Sequence, residues 1–401
     1  IKYARYAIGE IVLVVFGILI ALQINNWNEG RKQKIQLNNI YSIVRENLMT
    51  DLLNIEKTID YYKKREFLIE QKQCCGKGCF MCPYLPRHKQ GSKKIMNRMG
   101  YACINMELSS QKPKIYTGRS MIKRTFKAKG IEYASELGLQ NTKDLFEIIK
   151  WNNENGFDFF RITSNLFPWS SEYKLSDMPD YTEICNVLSN VGEYVKKNKM
   201  RITSHPGPFN VLTSPHPHVV TNCIKDLSIH GEVFDLIGLS RTPFNKINIH
   251  IGGAYGDKTS AMERFCTNFH RLPDSVKSRL TVENDDKATM YSVRDLYDGV
   301  YKVIGIPIVF DYHHHQFCTG DLTEQKALEL AIKTWGDIKP VVHYSESRRD
   351  EKKDDTIRVQ AHSDYVYEKI ETYGHDIDIM VEAKAKELAV QKYLELHNGL
   401  S

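Results

Sequence analysis

Short runs of β-branched and aliphatic residues recur along the C-terminal three quarters of this chain. Six of them stop on a histidine or a carboxylate: RITSHPG (residues 201–207), INIHIGG (247–253), LTVEND (280–285), PIVFDYHHH (307–315), PVVHYS (340–345) and DIMVEAK (378–384). Near-continuous apolar runs of this length are the pattern of parallel strands covered by helices. MGYACIN (99–105) and FDFFRITS (157–164) precede them and bring the predicted strands to eight. Between them KDLFEIIKWNNENG, EICNVLSNVGEYVKKN, SVRDLYDGVYKVIG and EQKALELAIKTWG carry apolar residues at helical spacing with a Gly or Asn stop. Strands alternating with helices across about 300 residues predict the α/β class and a (β/α)₈ barrel, a fold whose C-terminal strand ends carry the chemistry.

The first quarter reads differently. Residues 6–24, with IVLVVFGILIAL at their centre and Glu10 near one end, are apolar enough for a minimal membrane-spanning helix, which needs about 20 such residues. No small-residue cleavage site follows, so a signal peptide fits less well. Trp27 falls at the expected interface, and cations on both flanks (Lys2 and Arg5, then Arg31, Lys32 and Lys34) leave the orientation open. A broken stripe of Ile40, Ile43, Leu48, Leu52, Ile55 and Ile59 predicts a helix beyond it. The expected organisation is therefore residues 1–70 as membrane helix plus long helix, 71–95 as a cysteine-rich linker, and 96–401 as the barrel. The chain opens on Ile1 rather than Met, which is read as a missing natural start.

Composition changes this picture little. A chain of 401 residues with 42% hydrophobic content supports one large core, and a net charge of +6 permits a polyanionic partner without requiring one. The nine cysteines are not a secreted disulfide framework. Four of them, Cys74, Cys75, Cys79 and Cys82, crowd into CCGKGCFMCPY, where thiolates and turn-forming glycines suit zinc or an iron–sulfur cluster. The spacing of Cys75, Cys79 and Cys82 equals that of radical-SAM enzymes, but it precedes every strand rather than following the first. The competing reading is an exposed Lys/Arg/Gly-rich linker.

The candidate chemistry lies at the strand ends. His205, His250, Glu283, Asp311, His314, His343, His362 and Glu382 are five imidazoles and three carboxylates, too many for one ion and suited to two or three divalent ions with bridging carboxylates. A mixed shell favours Mn²⁺ or Zn²⁺ over Mg²⁺, which prefers oxygen. Three carboxylates against two or three dications leave a positive centre fitted to an anionic phosphodiester. One inward histidine is ordinarily structural; convergence of so many reverses that reading. His313 and His315 are expected beside the cluster or pointing away, and His216, His218, His230, His270, His375 and His397 are expected in solvent. The GGAYGDK loop, with Lys258, is either a phosphate cradle or a glycine-rich turn.

GYACIN, FRITSNLFPW, SHPGPF, HIGGAYGDK, ENDD, FDYHHH, VHYSES and VEAKAKE, in that order, resemble the UV damage endonuclease family of DNA repair enzymes over residues 96–393. The resemblance implies a (β/α)₈ barrel with a cluster of divalent metals, commonly Mn²⁺. It implies nicking immediately 5′ to UV photoproducts in double-stranded DNA, with the eight ligands above falling on the family's metal positions. It also implies that Pro208 and Phe209 form a loop wedged into the duplex, where some relatives carry Gln and Tyr, and that Tyr101 and Asn105 lie near the lesion. Lys258 joins these as an expected DNA contact. Three departures stand out: Ser170, Ser171 and Glu172 where members often have a further histidine, Val341 where some have a lysine, and Phe209, which can stack but cannot donate a hydrogen bond.

The opening, AIGEIVLVV and ALQINNWNE, resembles an uncharacterised bacterial single-helix membrane protein family, and the cysteine motif resembles a small family ending in CPY. A membrane is thus one expected partner, with the barrel on the cytoplasmic side facing chromosomal DNA; no protein partner is inferred. The competing enzyme is a metal-dependent sugar isomerase on the same barrel, with two metals and a sugar-sized pocket. From another class, residues 1–95 would act as a membrane-anchored interaction module carrying a passenger barrel.

Overall fold

The computed structural model describes residues 97–398, together with a small antiparallel ladder pairing Tyr84 with Lys94 and Leu85 with Lys93. The chain divides into two compact units, Ile1–Ile95 and Met96–Ser401. The ladder belongs to the first unit; all that follows concerns the second. The membrane helix expected over residues 6–24, the helix expected to residue 70, and Cys74, Cys75, Cys79 and Cys82 lie outside the described residues. Among the described residues no helix is long and apolar enough to cross a membrane.

Eight parallel strands close into a barrel: β1 (Met99–Ala102), β2 (Phe159–Ile162), β3 (Arg201–Ser204), β4 (Ile247–Ile249), β5 (Leu280–Glu283), β6 (Ile308–Asp311), β7 (Val341–Tyr344) and β8 (Asp378–Val381), with β8 pairing β1 to complete the ring. Each observed strand lies inside a predicted run. The period of two explains what the runs conceal. Outward positions such as Phe160, Ile202, Ile249, Val282, Phe310, Val342 and Val381 merge with the helices into one core. Inward positions are mixed: Ala102, Phe159, Val309, Val341 and Met380 make a separate small cluster with Trp335. The same inward phase carries Arg201, Thr203 and His205 on β3, Asn248 and His250 on β4, Thr281 and Glu283 on β5, and Asp378 and Glu382 on β8. Gly100 stands on β1 because a Cβ there would come within 2.5 Å of the Phe159 carbonyl oxygen.

The barrel floor is ionic. Arg201 and Asp378, both fully buried, meet at 2.9 Å across the interior, and Lys339 and Arg98 add further contacts to Asp378 at 3.1 and 3.4 Å. Burial favours the neutral Asp378 carboxyl, but Arg201, Lys339 and Arg98 outweigh it and hold the group below the ordinary carboxylate range.

The helical wall departs from the predicted one in its limits. The first long helix runs over Lys123–Glu154, well upstream of the predicted start, and carries a kink at Gly130. The segment predicted as one helix near residue 300 is Val293–Leu296, a π turn Tyr297–Tyr301, and Lys302–Ile304. Pro217–Ile237 is a helix that the pattern did not announce, because its buried face includes Cys223, His230 and Gly231 among the aliphatics. His230, expected in solvent, is buried there with Asp226 at 3.7 Å.

Candidate metal centre

The strand ends converge as the period of two requires. Three groups of side chains each bring their ligand atoms within 4.8 Å of one another: His205 with Glu283 and His343, His250 with Glu283 and His314, and Asp311 with His343 and Glu382. Glu283 belongs to two groups and His343 to two, so the three overlap into one centre. Glu283 Oε2 lies 3.2 Å from His205 Nε2 and 3.0 Å from His343 Nδ1; its Oε1 lies 3.4 Å from His314 Nδ1. His343 Nδ1 is also 3.1 Å from Glu382 Oε1. His362 is the expected ligand that joins none of these groups. Its Nδ1 pairs with the Glu382 backbone carbonyl at 2.9 Å, which sets the ring beside the third group.

The donor set fits divalent cations. Asp311 Oδ2 is buried at the centre and satisfied by no hydrogen bond, a costly arrangement that a cation would relieve. Asp311 is positioned by its own cap: Oδ1 accepts from His314 N at 2.8 Å, starting the turn Tyr312–His315 that presents His314. Sequence reasoning missed the residues beneath. Asn248 and Arg161 donate to Glu283 and Glu382 respectively. Lys246 Nζ lies 3.0 Å from His343 Nε2, and Asp285 Oδ1 lies 3.1 Å from His250 Nδ1. Partners of this kind orient the ligands they touch. The inward phase of β2 and β4 was the available signal for Arg161, Lys246 and Asn248.

Electrostatics follow from crowding. Burial favours a neutral Glu283, yet His343 and His250 outweigh it and hold the carboxyl well below its ordinary range. Burial likewise disfavours the His250 cation, but Glu283 and Asp285 overcome it and push the imidazole up to about 10. Asp311 is pushed up to about 7 by burial, with Glu283 and Glu382 adding to it. Metal binding must therefore expel protons, since only deprotonated ligands coordinate. Below about 10 the His250 proton competes, and below about 7 that of Asp311 joins it. Affinity for a divalent cation is expected to fall roughly tenfold per pH unit on acidification, more steeply below neutrality. Calorimetry in two buffers of different ionisation enthalpy reads the released protons directly; identical heats in both would refute this.

The remaining expected site residues divide sharply. Pro208 and Phe209 are exposed, Phe209 by 65%, on the loop beyond His205. That loop is braced from the next one, where Gly252, at a φ of 112°, packs so closely that a Cβ would meet Thr213 and Val211. Tyr101 and Asn105, expected near the lesion, are instead fully buried. The Tyr101 ring points outward from the barrel into the main core and its hydroxyl donates to Asn152 at 2.5 Å, while Asn105 caps the turn Met106–Ser110. Neither presents a group to the open face, because β1 sets Tyr101 on the outward phase. Lys258 pairs with Asp295 at 3.2 Å, and Asp257 accepts from Ser260 N at the start of Lys258–Phe269, so a carboxylate already sits where a phosphate cradle was considered. Glu172 is exposed and outside the three groups, Val341 belongs to the small inner cluster, and His313 and His315 are both buried.

Comparison with known proteins agrees with this geometry. Residues 97–401 match the family described as UV-endonuclease UvdE, and residues 10–73 match a family of unknown function (DUF6090). The UV-damage endonuclease of Schizosaccharomyces pombe is 36% identical over 303 residues, covering 73% of this chain and 49% of the relative. That of Neurospora crassa is 33% identical over 358 residues, covering 77% and 51%. The chain thus spans about half the length of these fungal relatives. The UV DNA damage endonuclease of Bacillus cereus is 32% identical over 312 residues, covering 75% of this chain and 94% of the relative. The crystal structure of SacUVDE superposes with a TM-score of 0.65 at 28% identity, covering 76% of this chain and 99% of that one. The chain belongs to the UV-endonuclease UvdE family.

Proposed function

We propose that this chain is a DNA repair endonuclease that nicks the backbone of UV-damaged duplex immediately 5′ to the photoproduct, leaving a 3′-hydroxyl and a 5′-phosphate, with Mn²⁺ as its working metal. The observation that carries this reading is the overlap of three ligand groups through Glu283 and His343 at the open end of the barrel. A divalent cluster held there supplies an activated water and charge stabilisation at the phosphoryl group. The protein's own share is to fix the ligands, through Asn248, Lys246 and Arg161, and to present an exposed aromatic beside them. Family membership favours the nuclease over a sugar isomerase. The test is incubation of irradiated and unirradiated supercoiled plasmid with the purified chain and Mn²⁺. Nicking confined to irradiated plasmid and abolished by chelation is expected; equal or absent nicking sinks the proposal.

Phe209 is proposed to be the part that reads damage. It lies four residues past His205, on the same loop but outside the ligand groups, so its ring can enter a weakly stacked site without disturbing the metals. Phe209→Ala is expected to keep its metal and fold while losing roughly tenfold in cleavage of irradiated duplex, the scale of one base stack at about 1–3 kcal/mol. His205→Ala should lose metal and, with it, cleavage of every substrate. Parallel metal analysis and nicking assays decide; parental cleavage by Phe209→Ala would remove this loop as the probe.

A further inference from the structure

The loop GGAYGDK (residues 252–258) follows the ligand His250, and the metal centre leaves it without a role. Tyr255 at its centre is 49% exposed, although its ring is large and apolar. Its backbone is unusual as well. Tyr255 holds a φ of 52° and Gly256 one of 82°, and Asp257 N donates to Ala254 O at 3.0 Å to close the turn. Positive φ at both central residues belongs to the mirror-image form of a β-turn, in which Gly, Asn and Asp predominate. An aromatic residue held in the left-handed region is strained, and such residues concentrate at functional sites.

The loop after β3 is built alike. In each, an exposed ring stands two residues after a glycine that itself follows a ligand histidine: Phe209 after Gly207 and His205, Tyr255 after Gly253 and His250. A Cβ at Gly207 would collide with the Phe209 ring, and one at Gly253 would lie 3.2 Å from Tyr255 Cε2. Each ring therefore rests on the backbone of its own loop and leaves its remainder open to solvent. The two loops are also fastened together. β3 and β4 are neighbours in the barrel, and Gly252 packs against Val211 and Thr213. Arg264 Nε donates to the Thr213 carbonyl at 2.7 Å, while its guanidinium lies 5.8 Å from the centre of the Tyr255 ring. Arg264 thus ties Tyr255 to the segment that carries Phe209. A ring held in this way has little freedom left to lose when a ligand meets it.

We propose that Tyr255 is a second nucleobase platform, stacking on a base exposed where the duplex opens beside the photoproduct. This rests on the nuclease reading and adds a recognition residue to it. An aromatic ring accepts any base by its π face, so the contact tolerates different sequences. Intact duplex keeps its bases stacked on one another and offers Tyr255 nothing comparable. The opened site is then met from two neighbouring loops, Phe209 after β3 and Tyr255 after β4. A packing role fits less well, because the ring is half open and glycine would suit the backbone at this position better.

Tyr255→Gly removes the ring and relieves the left-handed strain; Tyr255→Phe keeps the ring and removes the hydroxyl. Fluorescence anisotropy of the full chain in EDTA, with irradiated and unirradiated oligonucleotide duplexes, reads binding without cleavage. Tyr255→Gly is expected to bind irradiated duplex roughly tenfold more weakly, as for one lost base stack, and unirradiated duplex nearly as the parent does. The salt dependence of binding should keep its parental slope, because stacking releases no counter-ions. Its thermal midpoint should be equal or higher, since glycine adopts positive φ freely. Tyr255→Phe should rescue the preference for irradiated duplex. Parental binding by Tyr255→Gly would overturn the proposal. So would an equal loss in Tyr255→Phe, which assigns the contact to the hydroxyl, or a lowered thermal midpoint in Tyr255→Gly, which makes the ring structural. A parent that binds both duplexes alike overturns it too. If the parent prefers irradiated duplex yet leaves it uncut with Mn²⁺, the nuclease reading alone fails, and anisotropy still decides Tyr255.

Discussion

Glu283→Gln is expected to lose bound metal and nicking together, by on the order of a thousandfold in rate, comparable to removing a strong charge-stabilising group. The substitution conserves shape and deletes one charge at the point where two of the three ligand groups meet. Glu283 contacts His205, His343 and His314 within 3.4 Å, so no neighbour can replace both its oxygens. A second readout is independent of catalysis. In the metal-free protein, Glu283 is the chief influence that lifts His250 against its burial. Without that charge the His250 pKa should drop steeply from about 10, visible by NMR titration of the ring protons. Full metal occupancy in Glu283→Gln, measured by elemental analysis, would remove Glu283 from the ligand set.

Asp378→Ala should cost stability rather than chemistry, by roughly 3–5 kcal/mol, because it leaves Arg201 buried without its partner. The pair spans the barrel from the base of β3 to the base of β8, the strands whose upper ends carry His205 and Glu382. It therefore sets the relative height of two ligands as well as the floor beneath them. The sign with pH follows from the depressed carboxyl: the contribution is present at neutral pH and fades only as acid drives the pH down through the folded-state value. Replacing both partners with apolar residues should recover most of the loss, since the cost lies in the uncompensated charge. Urea unfolding of the single and double variants measures this. A loss below about 1 kcal/mol in Asp378→Ala would show that Lys339 and Arg98 do not depend on Asp378 and that Arg201 finds another counter-charge.

What the sequence determined by itself was whatever is written locally. The eight strands, the barrel and the candidate ligands were legible because inward and outward residues alternate within each run, and a ligand next to the last strand residue inherits a phase that the run already displays. The outward half of that alternation hid in the apolar runs, and the inward half held the surprises. Lys246 meets His343 across 97 residues of chain and Arg161 meets Glu382 across 221, so neither contact leaves a local signature. Tyr101 and Asn105, which a family motif marked as close to the lesion, are buried by strand phase and by capping, and the motif itself does not display that burial. His362 was placed beside the ligands by its hydrogen bond to the Glu382 carbonyl, a contact made only once β8 and its following loop are in place.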